Sequence, residues 1–204
     1  MFFMSKPGPD CIRAFLSSQE GRPYSYPEVG RSRENPPEGF TVDHNRVLLG
    51  KGVNVFDRAK RAIREWKMFD MPWITLCWPD TPIAVNGLVA VLVRHLGFWS
   101  LNACRIVYVL EEHGAVEKYG FAYGTLREHA ECGEERFTVE YYPKDDSVWY
   151  DLYAYSRPQL LAKLTYPLTR ALQKKFVRDS KLAMQRATHH AELEKVALTT
   201  HSTP

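Results

Sequence analysis

Between residues 72 and 156 apolar and polar positions alternate with a period of two, and on either side the period lengthens to three or four. The middle block predicts six strands: Trp73–Trp78, Leu88–His95, Cys104–Glu111, Val116–Thr125, Gly133–Tyr142 and Ser147–Ser156. Turn-forming stretches separate them, among them PDTP with NG, LGFWSLN, EHGA, LREHAEC and PKDD. Connections this short make sequential strands antiparallel neighbours, so the block is a meander. Upstream, Thr41–Leu49 alternates in part and ends at GKG, a further strand and turn. Next comes NVFDRAKRAIREWKMF, with Val55, Phe56, Ala59, Ile63, Trp66 and Phe69 at helical spacing and Arg58, Lys60, Arg61 and Arg64 facing out. Asn54 is placed to cap this helix, and Pro72 ends it.

The last long segment, Arg157 to Ala187, returns to helical spacing through Leu160, Leu161, Leu164, Leu168, Leu172, Phe176, Ala183, Met184 and Ala187. Pro167 should kink or divide it, since proline removes a backbone donor and crowds the preceding turn. The order strand, helix, six strands, long helix predicts an α+β fold of the helix-grip kind. A meander of that length curls on its own twist, and this helix is the element long enough to cover its apolar face.

The first 40 residues read differently. Asp10 to Ser18 forms a short amphipathic helix with Asp10 as its cap and Ile12, Phe15 and Leu16 inward. The following GRPYSYPEVGRSRENPPEGF carries four prolines and three glycines, which exclude a helix and leave an extended arm pinned by Tyr24 and Tyr26. The expected organisation is therefore residues 1–40 as helix and arm packed on the body, 41–187 as the helix-grip domain, and 188–204 as a polar, flexible tail.

Composition changes this picture little. The chain has 204 residues, 45% apolar and 25% charged, which suits one domain with its own core. The longest apolar run, Leu88–Val93, is far short of the ~20 residues of a membrane helix. Cys11, Cys77, Cys104 and Cys132 are scattered, with no paired spacing for zinc, so a reduced cytoplasmic protein without metal or cofactor is expected. A net charge of +3 gives no reason to expect nucleic acid. Its distribution is uneven: Arg157–Ala187 holds eight basic residues and one acid, Asp179, for a net +7. A solvated helix face explains this, and contact of Arg170, Lys174, Arg178 and Lys181 with an anionic membrane surface or acidic partner is the alternative.

Alternation also sorts faces. In Gly133–Tyr142 the apolar residues Phe137, Val139 and Tyr141 are odd-numbered, so Glu135 goes inward with them. In the last strand Val148, Tyr150, Leu152 and Ala154 face inward, and Trp149, Asp151 and Tyr153 face out. An ionised carboxylate on an apolar face costs several kcal/mol unless paired or bonded. Glu135 is therefore half-solvated at the rim, paired with Arg105, Arg136 or a tyrosine, or a site residue with a raised pKa. In Val116–Thr125, Gly120, Ala122 and Gly124 share one face and Tyr119, Phe121 and Tyr123 the other. If the small face is inward, it leaves a void under the long helix; close packing or a bend is the other explanation. His129, in the intervening turn near Cys132 and Glu134, matches no standard metal spacing.

Several stretches carry a resemblance. YSYPEVGRSR, RVLLGKGVNVFDRAKRAIREWKMF, CRIVYVLEE, YGFAYGTLREHAECGEERFTVE and VWYDLYAYSRP, spanning Tyr24 to Ala187, resemble a domain-of-unknown-function family of bacteria and plants. The element order resembles the helix-grip fold of the START-like and birch-pollen-allergen-like superfamily. The superfamily resemblance implies a cavity between sheet and long helix that holds an apolar small molecule. Glu135, Tyr108, Tyr150, Tyr123, His129, Arg105, Gly120 and Gly124 are the residues expected to line or orient it. A cyclase- or dehydratase-like enzyme would use Glu135 as acid–base, assisted by Tyr108, Tyr150 or His129.

Overall fold

The computed structural model describes residues 1–129, 131–158 and 166–200. In chain order the elements are β1 (Phe2–Phe3), α1 (Pro9–Ser18), β2 (Thr41–Lys51), α2 (Val53–Arg64), β3 (Ile74–Cys77), β4 (Leu88–Arg94), β5 (Trp99–Glu112), β6 (Glu117–Thr125), β7 (Glu131–Tyr142), β8 (Ser147–Pro158) and α3 (Tyr166–Thr200). The sheet runs β2-β8-β7-β6-β5-β4-β3, antiparallel throughout. Strands β3 to β8 pair in sequence, as short turns require, and β2 returns across the molecule to pair with β8. This is the helix-grip order, with α2 and α3 laid against one face.

That concave face holds the main core. Val55, Phe56, Ala59, Ala62 and Ile63 of α2 and Met68 and Phe69 of the following turn meet Phe121, Phe137, Val139, Tyr150, Leu152 and Met184. The opposite face is covered too. Ile12 and Phe15 of α1 pack on Ala90, Leu92, Leu101, Ala103 and Leu126, while Tyr24, Tyr26 and Phe40 pack around Tyr155 and Cys132. The two-residue β1, which the alternation did not reveal, pairs with β5 beyond the end of β6.

Three local expectations are corrected. Helix α1 begins with Pro9 after Gly8, not at an Asp10 cap; proline is pre-set for the first helical position and donates no N–H there. Helix α2 is entered through Gly52, not Asn54. Gly52 holds φ +92° while its N–H bonds Asp146 O at 2.8 Å, a backbone state that favours glycine. Arg157 and Pro158 belong to β8, opposite Cys132 and Glu131, and not to the final helix. Pro167 is the second residue of α3 among the described residues, and the segment before it that the expected kink or division would involve, residues 159–165, lies outside them. Leu160, Leu161 and Leu164 lie outside the described residues. Further along α3 the stripe faces the core as its spacing demands: Phe176 and Ala187 pack on it and Met184 is buried within it.

Of the two explanations for the Gly120–Ala122–Gly124 face, the void under the long helix is excluded. Tyr119, Phe121 and Tyr123 face the helices, and the small residues face the convex side. A Cβ on Gly124 would lie 2.0 Å from Tyr26 Oη, and one on Gly120 would lie 2.0 Å from Phe137 O. These glycines permit close approach of arm and neighbouring strand; they do not empty the space beneath α3.

A carboxyl–tyrosine pair on the concave face

Glu135 is on the concave side of β7, as parity requires, flanked across the sheet by Tyr123 of β6 and Ala154 of β8. Tyr123 Oη donates to Glu135 Oε2 at 2.7 Å, so of the partners considered for Glu135 a tyrosine is the one in place. Tyr150, also inward, shares a 2.9 Å hydrogen bond with Ser180 Oγ of α3. Around them the surface is aromatic. Phe137 lies 5.3 Å from Tyr123 and 5.5 Å from Phe69, and Phe69 lies 5.5 Å from Phe176 (centroid distances). Alternation on β6 and β7 supplies the first two rings, and helical spacing on α3 brings Phe176 down to them.

Polar groups continue from Glu135 towards the start of α3. Gln173 Nε2 donates to Glu131 at 2.8 Å and to Ser156 Oγ at 3.2 Å, and Arg170 makes paired bonds of 2.5 and 2.8 Å to Asp43. Burial is the main cause that pushes the Glu135 carboxyl up to about 8. The Tyr123 hydrogen bond opposes the rise, and the charges of Glu131 and Asp43 add to it. Burial likewise raises Glu131, with the Gln173 bond and Arg170 opposing. The Cys104, Tyr123 and Tyr150 protons are held well above their ordinary values, first by burial and then, for Cys104 and Tyr123, by Glu135. Glu135 nevertheless remains only half-buried by surface. A carboxyl in that state is largely protonated at pH 7, so it can donate a hydrogen bond or a proton, with Tyr123 as a second hydroxyl beside it.

The remaining candidates go elsewhere. Tyr108, expected inward, is on the convex face with Leu110 and Ala122, its hydroxyl 2.6 Å from Ser32 Oγ and its ring under Arg33. The cause is a bulge in β5: Ile106 pairs with Tyr123 but Tyr108 with Ala122, so the strand changes parity between them. Arg105 does not reach Glu135. It donates to the carbonyls of Arg22 (2.8 Å) and Gln19 (3.0 Å) and so binds the end of α1 and the start of the arm. His129, in the β6–β7 turn, accepts the Glu131 N–H at 3.0 Å; burial lowers its pKa to about 4. Cys132 bonds Ser25 O at 3.1 Å, so His129, Cys132 and Glu134 are turned to three different partners. On α3, Arg170 is committed to Asp43, while Lys175 and Arg178 both bind Asp179. No helix among the described residues is long and apolar enough to cross a membrane.

Sequence reasoning missed Glu134. It is 2% exposed on the convex face and accepts hydrogen bonds from Tyr26 Oη (2.8 Å), Gly30 N (2.8 Å), Ser32 N (3.0 Å) and Ser32 Oγ. The arm stretch YSYPEVGRS thus wraps the Glu134 of GEERF. Parity alone could have put Glu134 outside, but the donors lie about a hundred residues upstream.

The family model described as "Domain of unknown function (DUF1990)" matches residues 25–183. A "UPF0548 protein" of Dictyostelium discoideum is 35% identical over 200 residues, covering 88% of this chain and 92% of that protein. Among solved structures, Ara h 8.0201 has a TM-score of 0.48 at 12% identity, covering 74% of this chain and 98% of its own. Human STARD10 has a TM-score of 0.44 at 12% identity, covering 98% and 90%.

Proposed function

The chain belongs to the DUF1990 family, and from that premise we propose that it binds a hydrophobic small molecule against the concave face, between the sheet and α3. Glu135 and Tyr123 form the polar anchor. One observation carries the reading: a carboxyl raised to about 8 stands on an aromatic wall, with one tyrosine hydroxyl bonded to it and part of its surface still accessible. A purely structural carboxylate in such surroundings would be expected to have a cation or several donors. A neutral carboxyl that keeps one oxygen available suits a ligand that is mostly apolar and carries one hydroxyl or carbonyl. The test is uptake of a neutral apolar dye, Nile red, with native mass spectrometry of the protein as purified. Saturable binding is expected, weakened about tenfold by Glu135→Ala with the fold retained. Folded protein that takes up no dye and carries no small molecule overturns the reading.

A second reading is favoured by the same pair. A carboxyl titrating near neutrality, 2.7 Å from a hydroxyl, suits acid–base chemistry of the cyclase or dehydratase kind. The discriminating measurement is the fate of a bound ligand. Chemical change in the wild type that stops in Glu135→Gln, while binding persists, marks an enzyme; unchanged release in both marks a carrier.

A further inference from the structure

At the end of the sheet where β6 stops and β7 starts, the β4–β5 hairpin projects an apolar tip. The turn His95–Phe98 is closed by His95 N to Phe98 O at 2.8 Å, with Gly97 at φ +86°. Leu96 at its apex is 98% exposed. β1 runs alongside, with Phe3 opposite Trp99 and Phe2 opposite Ser100, which carries the chain beyond it towards the tip. Phe2 is 66% and Met4 87% exposed, and the Phe2 ring meets Phe98 edge-on at 5.8 Å. Two segments far apart in sequence therefore converge to present large apolar side chains that bury little against the protein.

The charge around this tip has one sign. Residues 1–9 and 92–100 contain Lys6 and Arg94 and no acid. Both cations lie over the Trp99 ring, Lys6 Nζ at 5.7 Å and the Arg94 guanidinium at 6.0 Å. Glu128, in the β6–β7 turn, is the acid whose charge acts on the Met1 amine. An exposed leucine, methionine and phenylalanine, backed by a tryptophan set between two cations, is the chemistry of an anchor at a lipid–water boundary. A protruding turn enters a fluid headgroup layer readily, whereas a flat protein surface offers it no recess.

We propose that the β4–β5 tip and the adjoining β1 segment dock on an anionic lipid surface, with Leu96, Met4 and Phe2 entering the headgroup layer and Lys6 and Arg94 meeting its charge. This places the membrane-facing surface on the hairpin end and not on the basic α3, whose Arg170, Lys175 and Arg178 already have carboxylate partners. The proposal does not depend on ligand binding: a protein that takes up no dye can still dock.

Cosedimentation of the full chain with vesicles of phosphatidylcholine, with and without phosphatidylserine, tests it. Binding to the serine-containing vesicles is expected, weakened by salt. Leu96→Glu should reduce it at least tenfold, and Lys6→Gln and Arg94→Gln about fivefold each. Because these side chains are exposed, each variant should keep the wild-type melting temperature. Absence of binding at low salt overturns the proposal. So does binding that Leu96→Glu leaves unchanged, which would mean diffuse charge alone. A concentration-dependent dimer that Leu96→Glu abolishes would assign the tip to a second copy of the chain instead.

Discussion

Glu134 and Glu135 are consecutive, chemically identical and turned to opposite faces of one strand. On the convex side Glu134 is enclosed by the arm and accepts from Tyr26, Gly30 N, Ser32 N and Ser32 Oγ, with Tyr155 Oη at 3.4 Å. On the concave side Glu135 accepts from Tyr123, and its proton is held up to about 8. The difference lies in the donors. Backbone amides and hydroxyls from a separate segment can satisfy a buried carboxylate, and the result is a clamp. One hydroxyl in aromatic surroundings cannot, and the result is a group poised to exchange a proton or meet a ligand.

The largest effect expected comes from breaking the clamp. Glu134→Ala leaves Gly30 N, Ser32 N and the Tyr26 hydroxyl buried without their acceptor, at about 1–3 kcal/mol for each group left unpaired. A loss of roughly 3–5 kcal/mol in urea unfolding is expected, with new protease cleavage between Arg22 and Arg33. If the variant unfolds at the wild-type midpoint and the arm stays protected, the clamp is not what holds it. Glu135→Gln should move the other way. A carboxyl raised from 4.5 to about 8 binds a proton in the folded chain that the unfolded chain has released. Wild-type stability therefore falls as pH rises from about 4.5 to 8, by up to roughly 1.4 kcal/mol per unit, and levels off above. Glutamine mimics the protonated form and removes that slope. Its advantage should grow from near zero at pH 5 to as much as about 4 kcal/mol at pH 8. His129, lowered to about 4, contributes an opposite slope below 6.5, but it does so in both proteins and cancels in the difference. Parallel stability curves for the two proteins would remove the contrast between the carboxyls.

How much of this contrast was legible in the sequence depends on the range over which each cause acts. The β7 and β8 faces follow from strict alternation, so Glu135, Tyr150, Phe137 and Leu152 could be placed inward without a structure. Strand limits followed from turn residues to within about two positions for most strands, since Gly, Pro and Asp act locally. Strand β5 defeats the same method. Its bulge falls in CRIVYVL, where no glycine or proline marks it, and Tyr108 consequently changes face. The Gly120–Ala122–Gly124 side could not be chosen because a one-residue shift in register exchanges the faces, and what fills it is an arm about a hundred residues away. Tyr123 could be named as a candidate. That it bonds Glu135 is a matter of cross-strand register, which periodicity does not encode.

The smallest of these effects tests how closely the arm is fitted to the sheet. A Cβ at Gly124 would fall 2.0 Å from Tyr26 Oη and 2.9 Å from Tyr24 Cδ1, so alanine must displace Tyr26, the residue that donates to Glu134. The Gly124 backbone is not in the left-handed region, so the cost arises from that displacement and not from backbone strain. Gly124→Ala should destabilise by about 1–2 kcal/mol, a displaced charge-assisted hydrogen bond and some repacking. Tyr26→Phe removes the clashing oxygen together with the hydrogen bond, and alone should cost about 1.5–3 kcal/mol. The double variant should then cost less than the sum, because the bond that alanine displaces is already gone and part of the space is free. Additive costs in that cycle would mean that Gly124 and the Tyr26–Glu134 bond act independently, and that the glycine answers to the Tyr24 ring instead.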